Sequence, residues 1–227
     1  MFITDSITSV FLFQEAYRRM RVFYPDMSIR TLQLLSSTFH AVYTSILSIL
    51  FISDVVSKQY YIHLLAFSMG FTIFDIYKII EMKNKIWKQM LGHHIILILG
   101  LSPILFTELT TYSMFPSYTY YLSFAYLTEI STIPLNICWY CNENNKKDSV
   151  VFKIASILTL ISYFIYRIVL GIYLTFSMYY YETGIHPLPE LQFTLLSLNC
   201  YWFYKLYDKV KPLLFVSSLD GYSDKSE

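Results

Sequence analysis

The chain has 227 residues, of which 55% are hydrophobic, 19% aromatic and only 15% charged, against about a quarter charged in a soluble domain. Its net charge of +1, with the basic residues not pooled into one patch, gives no sign of nucleic-acid binding, and no nucleic-acid partner is expected. The mean hydropathy is +0.44, and apolar residues fall in blocks of roughly 20, the length that crosses a bilayer core as a helix. The sequence therefore reads as an all-α integral membrane protein.

Residues 1–30 mix Phe, Ile and Val with Glu15, Arg18, Arg19 and Arg21. That mixture predicts a short amphipathic helix at the interface, ending near Pro25, and no signal peptide. Six spans are expected next, at about Leu32–Ile52, Tyr60–Ile80, Gly92–Thr111, Tyr118–Tyr140, Val150–Met178 and Leu191–Val210. Residues 31–211 then form one six-transmembrane helical bundle, and residues 212–227 a short polar cytosolic tail. Lys78, at the end of the second span, is expected to snorkel to the interface.

Charge tests this parse independently. Of 17 Lys and Arg, 15 fall before span one, between spans two and three, between spans four and five, or after span six. They are Arg18, Arg19, Arg21, Arg30, Lys78, Lys83, Lys85, Lys88, Lys146, Lys147, Lys153, Lys205, Lys209, Lys211 and Lys225. Lys58 alone lies on the other side, and Arg167 lies within span five. The positive-inside rule then puts both termini and all the basic loops in the cytosol. Tyr60 and Tyr61, Tyr118 to Tyr121 and Tyr179 to Tyr181 fall at the exterior ends, where amphipathic rings anchor at headgroup level.

Polar residues inside the apolar blocks are functional candidates by default. They are His40, Asp75, His93, His94, Glu129, Asn136, Arg167 and Asn199. Helical spacing puts Ser68, Thr72 and Asp75 on one face of span two, and nearly eclipses Glu129 and Asn136 in span four. Ser156, Tyr163, Arg167 and Gly171 share a stripe on span five. These narrow polar faces predict a common interior. His93 continues into a face of Leu97, Gly100, Ile104, Thr107 and Thr111 and is expected to look inward. His94, about 100° away, continues into Ile98, Leu101 and Leu105, a face suited to lipid or packing. Counting about 1.5 Å per residue from the cytosolic ends, Asp75 lies roughly 8 Å deep, His40 roughly 12 Å and Glu129 roughly 16 Å. Arg167 sits deeper still, and Glu129 is its expected partner. Pro103 and Pro134 free the carbonyls of Leu99 and Ile130, so kinks are expected beside the polar residues.

Other chemistries have weak signals. Cys138 and Cys141 have redox spacing but close a membrane helix, so with Cys200 they predict neither a disulfide framework nor a metal site. No Gly-rich phosphate loop or nucleophile elbow occurs. Lys83, Lys85 and Lys88 around Trp87 form an interfacial basic patch suited to setting topology or meeting anionic headgroups.

Taken in order, the motifs are Ser37-Thr38-Phe39-His40, Phe74-Asp75-Ile76, His93-His94, Ala125 to Ser131, Tyr166-Arg167-Ile168 and Asn199 with Trp202. Over about residues 31–211 the chain resembles the TLC-domain family (TRAM, Lag1 and related proteins), most closely its small TLC domain-containing branch. The resemblance implies a six-helix bundle with a central lipid-accessible cavity, in the endoplasmic reticulum. It implies membrane lipids as partners, with a homodimer or a membrane-protein partner left open, and no cofactor beyond acyl-CoA as a substrate. In the family's ceramide synthases the His-His pair, matched here by His93 and His94, acts with a downstream segment carrying two carboxylates. Here that segment reads Leu127-Thr128-Glu129-Ile130-Ser131-Thr132, with one.

Three readings are compatible with these residues. The first is a nonenzymatic lipid-homeostasis factor that binds or senses a lipid or acyl chain in its cavity. His40, Asp75, Asn136, Arg167 and Asn199 would form that cavity. The second is an acyl-CoA-dependent N-acyltransferase on a sphingoid base or other lipid amine. It would use His93 and His94 with Asp75 or Glu129 as the orienting carboxylate. The third is a transporter or channel using the polar core, for which internal repeats are lacking.

Overall fold

The computed structural model describes residues 2–83, 86–107, 116–180 and 188–215. All the regular structure among them is helical: α1 (Phe2–Phe23), α2 (Ile29–Ile52), α3 (Lys58–Met82), α4 (Trp87–Thr107), α5 (Pro116–Tyr126), α6 (Thr132–Glu143), α7 (Val150–Tyr163), α8 (Leu170–Tyr180) and α9 (Leu188–Phe215). A 3-10 segment, Leu127–Ser131, joins α5 to α6, and a π-helical segment, Phe164–Val169, joins α7 to α8. With these two pairs each continuous, the described residues form seven rods. Three stretches are long and apolar enough to cross a membrane by length and composition: Ile29–Ile52, Lys58–Met82 and Val150–Tyr180.

Local chemistry sets the rod ends. Ser28 Oγ accepts the Thr31 amide at 3.1 Å, and Ser149 Oγ accepts that of Phe152 at 3.1 Å, so a serine satisfies an orphan donor at the start of α2 and of α7. Lys83, at φ 42°, ends α3 in the left-handed conformation. α9 runs through Pro212 to Phe215, past the expected end at Val210. The last residues of the expected third span, to Thr111, and the tail beyond 215 lie outside the described residues, as does Lys85.

Packing closes six rods into a ring. α2 lies against α3, α3 against α4, α4 against α9, and α9 against α7 and α8; α7 then meets α6, and α6 returns to α2. α1 stands outside this ring, packed against α3. It was expected as a short interfacial helix; in the structure it runs parallel to α3 along its length. Asp5 Oδ2 meets His63 Nδ1 at 2.8 Å near one end of α3, and the Tyr17 ring covers Lys78 Nζ at 3.9 Å near the other. Small residues allow the approach. Ser9 Oγ donates to the Phe67 carbonyl at 2.8 Å, and a Cβ added to Gly70 would fall 2.5 Å from the Ser6 carbonyl oxygen and from Ser9 Cβ. Close contact of small residues is how helices cohere where lipid removes the hydrophobic drive between them. Phe13 and Tyr17 complete a cluster with Leu32, Phe71 and Phe74.

Two expectations change here. Lys78 does not snorkel: it is 4% exposed, beneath Tyr17 and paired with Glu81 Oε2 at 2.8 Å. Tyr61 is no headgroup anchor; it is fully buried, stacked on Phe51 at 4.3 Å.

Both helix irregularities lie on rods that carry polar residues. Pro134 lacks the N–H that would bond the Ile130 carbonyl, and the turn before it tightens into the 3-10 segment. The π-helical segment carries extra residues per turn and shifts the phase of the residues beyond it. Beyond it Gly171 faces Leu196 of α9, a turn from the Asn199 that Tyr163 and Arg167 meet.

Candidate functional site

The ring encloses a cavity of about 670 Å³. At one end its wall carries Arg30, Gln89, Asn142, Lys205 and Lys209, with both lysines exposed. Its middle carries His40, Ser68, Asp75, His93, His94, Glu129, Asn136 and Arg167. Its far end carries Leu101, Leu122 and Met178, all buried. The profile is basic, then polar, then apolar.

Asp75 joins three rods in the middle zone. Its Oδ1 accepts from Gln33 Nε2 at 2.8 Å, and its Oδ2 meets His94 Nε2 at 2.7 Å. His94 is thus in the cavity wall, bound to the carboxylate, although its helical face was expected to suit lipid or packing. Two residues about 100° apart can both reach a cavity this wide, and Asp75 draws the second one in.

His93 lacks such a partner. Its ring packs against Trp202 at 5.5 Å and against His94 at 5.5 Å. The Nδ1 atoms of both histidines are buried without a hydrogen-bond partner among the described residues. A buried orphan costs about 1–3 kcal/mol, so such atoms mark places built to meet something else. Trp202 is itself fixed, its Nε1 donating to Gln89 Oε1 at 3.1 Å.

His40 is bound more conventionally. Its Nε2 lies 2.9 Å from Ser68 Oγ, and its ring stacks on Phe71 at 4.0 Å. Asn136 Nδ2 donates to Ser37 Oγ and Thr38 Oγ1 at 3.1 and 3.0 Å, fastening α6 to α2.

The expected pair of Glu129 and Arg167 is not formed. Arg167 Nε donates to Ser131 Oγ at 2.8 Å, one terminal nitrogen to Thr132 Oγ1 at 2.8 Å, and the other to Asn199 Oδ1 at 3.5 Å. The 3-10 winding presents Ser131 and Thr132 to the guanidinium, so neutral oxygens take the place foreseen for a carboxylate. Asn199 also accepts from the Tyr163 hydroxyl at 3.1 Å and does not line the cavity. Glu129 lines the cavity with no hydrogen bond or ion pair among the described residues.

Sequence reasoning missed Gln33, Ser131 and Thr132 as parts of this machinery. Gln33 was visible as an amide near the start of a span. The two hydroxyls were not, because their direction depends on the 3-10 turn. Among the described residues no group of His, Cys, Asp and Glu is arranged to hold a metal ion. Cys138 Sγ sits 3.5 Å from Ser156 Oγ, and all three cysteines are free.

The family model of the TLC domain (TRAM, LAG1 and CLN8) matches residues 26–208. Comparison with curated proteins and with solved structures finds no match.

Proposed function

We propose, for a chain that belongs to the TLC-domain family and is a multi-pass membrane protein, that the cavity binds or senses a single-chain lipid or acyl chain. The observation that carries this is the grading of the wall from exposed Lys205 and Lys209, through the polar middle, to Leu101, Leu122 and Met178. That is the profile of an amphiphile. The volume lies within the range of about 300–1,000 Å³ over which proteins enclose small ligands. On this reading the basic end opens to the cytosol and the protein acts in lipid homeostasis, with the endoplasmic reticulum as the membrane that the family resemblance implies. α1, 22 residues packed along the 25 of α3, is then a further crossing rod. That puts the N-terminus on the face opposite to the C-terminus, a revision of the expectation that both are cytosolic.

A diazirine-bearing alkyl chain, photolysed in the purified protein, tests the reading. Labels are expected on the peptides containing Leu101, Leu122 and Met178. Labels confined to outward residues such as Phe164 and Phe176 would remove the cavity as the lipid site.

One observation favours a second reading, N-acyl transfer from acyl-CoA to a lipid amine: His93 lines the cavity, and its Nδ1 is buried with no hydrogen bond among the described residues. His93 would take the proton of the attacking amine as the C–N bond forms, and pass it to the departing thiolate as the C–S bond breaks. Asp75 holds His94, so this histidine would support the site rather than act as base. The reading predicts amide product from acyl-CoA and sphingoid base, lost in His93→Ala with expression intact. No product from wild-type protein that still carries lipid leaves the first reading standing alone.

A further inference from the structure

Arg167 is 6% exposed at mid-depth in its rod, where a cation without an anionic partner is costly. It nevertheless forms no ion pair among the described residues. Its guanidinium has five N–H donors. Ser131, Thr132 and Asn199 accept three, and the Tyr163 hydroxyl lies beside the group, so the terminal nitrogens keep donor capacity that no anion claims among the described residues. Neutral oxygens orient the group without cancelling its charge. The Tyr163 ring, 5.1 Å from the guanidinium carbon, backs it on one side. A cation whose task was only to tie rods together would be neutralised by a carboxylate, and Glu129 lines the same cavity without being drawn to it. The charge is held in place and kept available.

We propose that Arg167 receives the carboxylate head of a single-chain lipid, of the class of a non-esterified fatty acid. This rests on the lipid-binding reading above and names the class of lipid. A guanidinium with donors to spare is the group that recognises a carboxylate by charge-assisted hydrogen bonds. A phosphate monoester fits less well, because it carries about −1.5 to −2 charges at neutral pH and one guanidinium offsets only one. Glu129 in the same wall adds repulsion against the second charge. An ammonium head is repelled by Arg167 itself. From Arg167 to Met178 the rod rises about 16 Å, at about 1.5 Å per residue, which gives the acyl tail a path into the apolar end.

The test uses the full chain in nanodiscs and three sixteen-carbon probes: palmitate, methyl palmitate and hexadecyl phosphate. Each competes against labelled palmitate. Palmitate is expected to bind on the order of tenfold to a hundredfold more tightly than methyl palmitate, the span that a hydrogen bond to a charged group accounts for. Arg167→Gln should bring palmitate down to the level of its ester, and Arg167→Lys should recover part of the difference. Equal binding of palmitate and methyl palmitate to the wild-type chain overturns the inference, and so does tighter binding of hexadecyl phosphate than of palmitate. Neither result depends on a variant that folds. Should none of the three probes bind, the reading of the cavity as a lipid site fails as well. If the ester binds as well as the acid, only the carboxylate inference fails.

Discussion

Removing the Asp75 carboxylate should loosen three rods at once, since its two oxygens hold Gln33 of α2 and His94 of α4 from α3. All three groups lie inside the ring. In Asp75→Ala the Gln33 amide and the His94 ring each lose a partner, and an unsatisfied buried donor costs about 1–3 kcal/mol, so the total is roughly 2–6 kcal/mol. For a chain of this size that corresponds to a fall in melting temperature of roughly 5–20 °C. Asp75→Asn keeps a carbonyl oxygen for Gln33, and its amide can donate to His94 if the imidazole proton moves to Nδ1. The loss should then be roughly 1–2 kcal/mol. Melting followed by size-exclusion chromatography in detergent measures both, and the order wild type, Asn, Ala is the expected one. A double-mutant cycle of Asp75→Ala with His94→Ala should return a coupling of about 0.5–3 kcal/mol. Melting of Asp75→Ala within about a degree of wild type, or no coupling, would show that this junction does not hold the ring together.

Further outcomes concern α1 and its seat. Gly70→Leu should push α1 off α3, because a single Cβ there already falls 2.5 Å from Ser9 Cβ; protease cleavage between residues 24 and 28 is the readout, and faster cutting is expected. Lys78→Met keeps the stem but removes the cation over Tyr17 and the Glu81 pair, and should destabilise by about 0.5–2 kcal/mol in a thermal melt. If α1 crosses the membrane beside α3, a tag at the N-terminus should be protected in sealed vesicles while one at the C-terminus is accessible. Tags accessible together would return α1 to the interface.

How far the chain could be read in advance varied with the kind of signal. Apolar block length located the six rods that form the ring, three of which are long and apolar enough to cross a membrane by length and composition. Glu15, Arg18 and Arg19 led to the expectation that α1 is interfacial. What seats it along α3 is a line of small residues, Ser6, Ser9 and Gly70, whose meaning depends on which two helices meet. Asp75 and His93 could be placed on a cavity face by periodicity alone. Arg167 could be recognised as costly, but not assigned its partners. Depth suggested Glu129, while a local 3-10 turn turned Ser131 and Thr132 toward the guanidinium instead. The lesson of His94 is similar: helical phase alone left its face to lipid or packing, and a carboxylate on the neighbouring rod holds it in the wall.

The central claim is that the cavity, and not the outer surface, holds one lipid. Native mass spectrometry of the purified chain tests it most directly, with Leu101→Trp as the variant that fills the apolar end. The expected result is one tightly held lipid per chain in the wild type, lost in Leu101→Trp while the protein stays folded. A wild-type chain free of lipid, or a lipid that persists undiminished after the cavity is filled, would contradict the account.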